Sequence, residues 1–151
     1  MSKYEAGFLG AGNMGGALAA AAARQVTGAR VAVSCSTSAH STAAAERLGC
    51  RAAAPEEILR ESRFVFLGVK PQMLDGVAQS MSAPIAASES VFVSMLAGVQ
   101  LERLERTLGA DKKIIRILPN TPCAVGQGVV LFCANARVTD DDIAAFCALM
   151  A

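Results

Sequence analysis

Short apolar runs alternate along this chain with segments of helical character, and that rhythm restricts the fold more than any single residue does. Tyr4–Leu9, Arg30–Ser34, Phe64–Val69, Val91–Met95 and Lys113–Leu118 read as strands, and Phe64–Val69 is a continuous apolar run too short for a helix. Between them lie an alanine-rich stretch, Asn13–Gln25, of high helix propensity, and a helix from about Ala39 that stops at Gly49. Pro55-Glu56-Glu57 opens the next, with proline at the first position and acids in the first turn. A helix from Pro71 keeps Leu74, Val77, Ala78 and Met81 at i, i+3, i+4, i+7, and one striped by Leu101, Leu104 and Leu108 closes at Gly109. Arg51–Ala53 adds a brief strand and Val129–Cys133 a further one. Thr139 with Asp142 makes a capping-box start to a helix that runs into the chain end. Buried strands alternating with helices imply parallel βαβ units and a sheet covered on both faces. The expected fold is one α/β domain, residues 1–151, with a doubly wound, mainly parallel sheet.

Composition agrees and narrows the partners. Hydrophobic residues make up 53% and charged residues 18%, the opposite of a disordered chain, and the net charge of +1 gives no global field for nucleic acid or an anionic membrane. The start, Met1-Ser2-Lys3-Tyr4-Glu5, is not a secretory signal, and no apolar stretch is long enough for a membrane helix. Cys35, Cys50, Cys123, Cys133 and Cys147 form no CxxC pair, and the single His40 completes no metal set with them. Reduced, buried thiols in a cytoplasmic protein are expected, with no metal.

One turn carries chemistry. Gly10-Ala11-Gly12-Asn13-Met14-Gly15 is a GxGxxG that follows a strand, opens a helix and precedes a second strand about twenty residues on. Gly10 permits the tight turn, Gly12 lets backbone approach a pyrophosphate, and Gly15 allows close helix–strand packing. The helix N-terminus supplies unpaired N–H groups and a favourable dipole for phosphate. The spacing predicts a Rossmann-like, NAD(P)-binding domain.

The end of the second strand bears on which dinucleotide. An NAD site places Asp or Glu there for the ribose 2′-OH, whereas this chain has Ser34-Cys35-Ser36-Thr37-Ser38 and no acid before Glu46. Hydroxyls and N–H groups of Cys35, Ser36 and Thr37 can cradle a 2′-phosphate, with help from His40; no arginine clamps the loop. NADP(H) is therefore preferred over NAD(H). The same hydroxyls can equally be plain helix caps. The missing acid also argues against a methyltransferase.

Four segments in order resemble the cofactor-binding domain of pyrroline-5-carboxylate reductases: Gly7–Gly15, Phe66-Leu67-Gly68-Val69-Lys70-Pro71-Gln72, Val93-Ser94-Met95-Leu96-Ala97-Gly98-Val99, and Arg116-Ile117-Leu118-Pro119-Asn120-Thr121-Pro122. The similarity covers essentially the whole chain. It implies that Asn13 and Met14 join Ala11 and the glycines around the pyrophosphate, and that Val69, Lys70 and Ala97 border adenosine ribose and nicotinamide. Asn120 would face nicotinamide and the substrate cleft. It implies hydride transfer from NADPH to the imine carbon of 1-pyrroline-5-carboxylate, in the last step of proline synthesis, by a homo-oligomer. Such reductases continue into a helical dimerisation and substrate domain with no counterpart in these 151 residues, so the chain alone is expected to be inactive. Gln100 replaces the usual Thr or Ser helix cap. Two alternatives stand beside this reading: a related imine or hydroxyacid reductase domain, and a non-catalytic nucleotide-binding module. No catalytic residue is assigned.

Overall fold

The computed structural model describes residues 2–10, 12–35, 37–96, 98–118 and 131–150. Among these, the apolar runs form one sheet of strands β1 (Tyr4–Leu9), β2 (Val31–Ser34), β3 (Arg51–Ala52), β4 (Ser62–Leu67), β5 (Val91–Ser94), β6 (Lys113–Leu118) and β7 (Leu131–Ala134), in the order β3-β2-β1-β4-β5-β6-β7. All neighbours pair in parallel except β6 and β7, which are antiparallel with Ile115 opposite Ala134 and Ile117 opposite Phe132. The helices are α1 (Asn13–Val26), α2 (Ser38–Leu48), α3 (Pro55–Glu61), α4 (Leu74–Ser80), α5 (Ser82–Ala87), α6 (Leu101–Leu108) and α7 (Asp140–Leu149).

The continuous apolar runs are explained by burial on both faces. On one face Phe8, Phe64, Phe66, Val93 and Ile115 pack with Leu18 of α1 and with Phe146 and Leu149 of α7. On the other, Val65, Leu67, Phe92 and Ile114 pack with Ile58, Leu74, Ile85 and Leu104 of α3 to α6. Phe8 and Phe66, register partners on β1 and β4, stack with ring centroids 4.4 Å apart. The expected doubly wound, mainly parallel fold is what the chain adopts.

Three details differ from expectation. The helix from Pro71 is broken into a 3₁₀ turn at Pro71–Met73, then α4, then α5. Pro84 has no N–H and its ring opposes the carbonyl of Ser80, so one helix cannot run through this stretch, and the chain breaks at Met81. None of the described thiols is buried: Cys133, on the edge strand β7, and Cys147, beside the buried Phe146 on α7, are exposed, and Cys35 and Cys50 are half-buried; Cys123 lies outside the described residues. The apolar stripe expected on the last helix at Ile143, Phe146, Cys147 and Met150 is rotated, with Phe146 and Leu149 buried and Ile143 and Met150 packed beside them.

The amino ends of the strands are closed by hydrogen bonds. Lys112 Nζ donates to the carbonyls of Ala86 (3.0 Å) and Ser88 (2.8 Å), completing acceptors that the C-terminus of α5 leaves open. Asn135 donates to the Lys112 carbonyl and accepts from Ile114 N, tying the turn after β7 to the start of β6. The expected capping box is present: Thr139 Oγ1 accepts from Asp142 N and Asp142 accepts from Thr139 N.

Candidate functional site

The carboxyl ends of β1, β2 and β4 meet around one glycine turn, the place where open α/β sheets bind ligands. Gly10 N donates to Ser34 O (2.7 Å) and Gly68 N to Leu9 O (2.8 Å), so the end of β1 is fixed between its two neighbours. Gly10 then turns with φ of 97°, and Gly12 caps α1. A Cβ on Gly15 would lie 2.9 Å from Gly10 O, so the helix can approach the strand this closely only with glycine there. Gly12 is different: nothing lies within 4 Å of where its Cβ would stand. The space above it is open, and α1 has no side-chain cap at its N-terminus. A bare helix start beside open space suits an anion.

The loop after β2 organises itself. Thr37 Oγ1 accepts from His40 N (3.1 Å), while Ser41 Oγ accepts from Cys35 N (2.7 Å) and donates to Thr37 O (3.0 Å). The capping alternative for these hydroxyls is realised, and it occupies the backbone N–H groups of Cys35 and His40. Burial pushes the Cys50 thiol up to about 11, with Cys35 adding to the shift, so this cysteine is not a thiolate nucleophile.

Three hollows converge on Cys35. One of about 360 Å³ lies between the ends of β1, β2 and β4 and helix α4, walled by Pro55, Val69, Met73, Val77 and Met81 with Lys70 at its edge. Its apolar walls suit a heteroaromatic ring. A second, of about 410 Å³, is rich in hydroxyls from Ser34, Thr37, Ser38, Ser41 and Thr42. The third, of about 490 Å³, runs from Gly10 and Gly12 along α2 past His40, Ala43 and Ala44 to Arg47.

Of the residues expected at the site, the structure brings Gly10, Gly12, Cys35, Thr37, Val69 and Lys70 to these connected hollows. Gly15 stands behind the turn. Asn13 and Met14 begin α1; Ala11, Ser36, Ala97 and Asn120, and the side chains of Asn13 and Met14, lie outside what the structure describes. Sequence reasoning missed Arg47, Met73 and Met81. The spacing of His40, Ala43, Ala44 and Arg47 at i, i+3, i+4, i+7 was the available signal for Arg47. Among the described residues, no cluster of His, Cys, Asp or Glu could hold a metal ion, and no helix is long and apolar enough to cross a membrane.

Residues 5–98 match the family described as NADP oxidoreductase coenzyme F420-dependent. The chain is 36% identical over 141 residues to pyrroline-5-carboxylate reductase of Escherichia coli, covering 91% of this chain and 52% of that protein. It is 33% identical over 135 residues to pyrroline-5-carboxylate reductase 3 of Macaca fascicularis, covering 87% and 48%. The crystal structure of the Streptococcus pyogenes 1-pyrroline-5-carboxylate reductase superposes with a TM-score of 0.84 at 27% identity, over 96% of this chain and 54% of that one. A Plasmodium falciparum pyrroline carboxylate reductase with NADP bound superposes with a TM-score of 0.82 at 24% identity, over 99% and 55%. The chain thus spans about half the length of the relatives it matches. By the match of residues 5–98 to the family model, the chain belongs to the NADP oxidoreductase coenzyme F420-dependent family, and the relatives it resembles over about half of their length are pyrroline-5-carboxylate reductases.

Proposed function

We propose that this chain is the NADP-binding half of a reductase that converts 1-pyrroline-5-carboxylate to proline. The observation that carries the reading is the open position at Gly12 beside an uncapped helix start, between an apolar hollow and a basic groove. Those three surroundings match the pyrophosphate, adenine and phosphorylated ribose of one dinucleotide. The Plasmodium relative with NADP bound supports the same ligand.

In this reading Gly10, Ala11, Gly12, Asn13, Met14 and Gly15 form the pyrophosphate turn. Val69 and Lys70 border adenosine, Cys35, Ser36 and Thr37 the ribose edge, and Ala97 and Asn120 the nicotinamide side. The cofactor supplies the hydride, and the protein's task is to bind it, orient it and exclude water. A cyclic iminium is already electrophilic, so little acid–base machinery is required of this half. The helical half of such reductases would complete the substrate pocket and the homo-oligomer. Free thiols suit a cytoplasmic setting.

Calorimetric titration of the 151-residue chain with NADPH, followed by an assay of NADPH loss with 1-pyrroline-5-carboxylate, tests the proposal. NADPH binding without appreciable turnover is expected. Without the remaining pocket, substrate and nicotinamide are not held together, which forfeits on the order of 10⁵ in rate. Failure to bind any dinucleotide would refute the reading, and turnover equal to that of a complete reductase would refute the placement of the substrate site.

A further inference from the structure

We propose that Arg47, on the last turns of α2, is the side chain that selects a 2′-phosphorylated dinucleotide at this site. The assignment rests on the dinucleotide reading above and goes beyond it, because it names the group that tells NADP from NAD.

Four observations lead there. First, two hydroxyls at the start of α2 are engaged in holding the loop: Ser41 is tied to Cys35 N and Thr37 O, and Thr37 caps α2. They leave no formal charge to meet a phosphate dianion. Second, the groove beside the glycine turn carries two basic side chains, His40 and Arg47, and no acid lines it. Glu46, the one acid of α2, is not among its walls. Third, Ala43 and Ala44 stand between the two basic residues, so the groove stays open from the turn to the guanidinium.

The fourth is directional. Helical side chains lean toward the helix N-terminus, and α2 starts at the carboxyl ends of the strands. The Arg47 Cα–Cβ bond is therefore tilted toward the end of α2 at which His40 stands, and Arg47 lines the same groove as His40 and Gly12. Among the described residues it makes no ion pair, so no carboxylate holds it down. A guanidinium fork matches two phosphate oxygens at once, which a neutral ribose hydroxyl does not reward.

The test titrates wild type, Arg47→Gln and Arg47→Lys with NADPH, NADH, adenosine 2′,5′-bisphosphate and ADP, with a melting curve for each protein. Arg47→Gln is expected to weaken NADPH and the bisphosphate at least tenfold. It should leave NADH and ADP within twofold and the melting temperature unchanged. Arg47→Lys, which keeps the charge but not the fork, should fall between. Equal weakening of NADPH and NADH would place Arg47 on the pyrophosphate instead, and no change in either would place it outside the site; both overturn the assignment. A wild-type chain that binds none of the four ligands would overturn the dinucleotide reading itself, an outcome distinct from loss of the 2′-phosphate preference alone.

Discussion

Replacing Gly12 by serine separates ligand binding from stability, because the two should move in opposite directions. Gly12 caps α1 in an extended conformation (φ −71°, ψ −162°) without supplying a side-chain acceptor, and a Cβ there meets nothing within 4 Å. Serine fits that backbone and places a hydroxyl where it can accept from the N–H groups of the first turn. Relative to glycine this cap is worth a few tenths of a kcal/mol, or roughly 1 °C in melting temperature for a domain of this size. The same hydroxyl blocks those N–H groups and fills the space above the turn. Hydrogen bonds to a charged group contribute about 1.5–3 kcal/mol each, so displacing a phosphate from two of them costs roughly 3–6 kcal/mol, at least ~10²-fold in affinity. Gly12→Val should lose binding equally while lowering the melting temperature by about 2–4 °C, since valine is a poor cap. Calorimetric titration with NADPH beside differential scanning calorimetry reads both quantities. Serine-variant binding within a few-fold of wild type would refute the placement of the pyrophosphate, and a strongly lowered melting temperature would refute the open space at Gly12.

Three further expectations follow from other parts of the molecule. An acid after Cys35, Ser36→Asp, should reverse the order of NADPH and NADH binding by repelling the 2′-phosphate and offering a ribose acceptor; competitive titration with both cofactors decides it. Lys112→Ala strands the Ala86 and Ser88 carbonyls beneath a residue only 6% exposed, so the protein should lose about 2–3 kcal/mol and roughly 4–10 °C in melting temperature; an unchanged melting curve would count against the network. Burial pushes the Asp142 carboxyl up, but the Lys113 ammonium at 2.9 Å and the Thr139 amide and hydroxyl outweigh it and hold it below the ordinary carboxylate range. Its contribution to stability is thus present above the unfolded carboxyl's pKa, about 4, and fades as pH falls through the folded value, so the stability gap between wild type and Asp142→Asn should narrow in acid. A gap that stays constant down to low pH would show that the carboxylate charge is not what matters.

The periodicity of the chain was enough for the fold because the central strands β1, β2, β4 and β5 are buried on both faces and α1, α2, α3 and α7 start at glycine, threonine or proline. Pro84 was equally visible, but its consequence, two short helices in place of one, depends on where the carbonyl four residues back falls. The glycine turn was legible for a partly local reason: Gly15 faces Gly10 O, five residues back, whereas the crowding of Gly10 against Gly68 belongs to the folded sheet. Arg47 was not, since its relevance depends on α2 lying against the glycine turn across a chain separation of more than thirty residues. Met73 and Met81 were hidden differently. Met81 reads as a core position by spacing and Met73 carries no sequence signal; the break at Met81 and the 3₁₀ turn at Pro71–Met73 put them on the hollow beside Val69.

The reversal of β7 decides where the two ends of the chain can be handled. Asp142, near the start of α7, pairs with Lys113 at the beginning of β6, whereas Phe146 one turn on meets Phe132, the register partner of Ile117 near the other end of that strand. The last helix therefore climbs toward the glycine-turn rim, while Tyr4 enters the sheet at the opposite rim beside Ser62. A fluorophore, surface tether or affinity tag joined before Tyr4 stands clear of the ligand hollows. The same group joined after Met150 starts on their side of the molecule and would crowd the binding measurement it was added to serve.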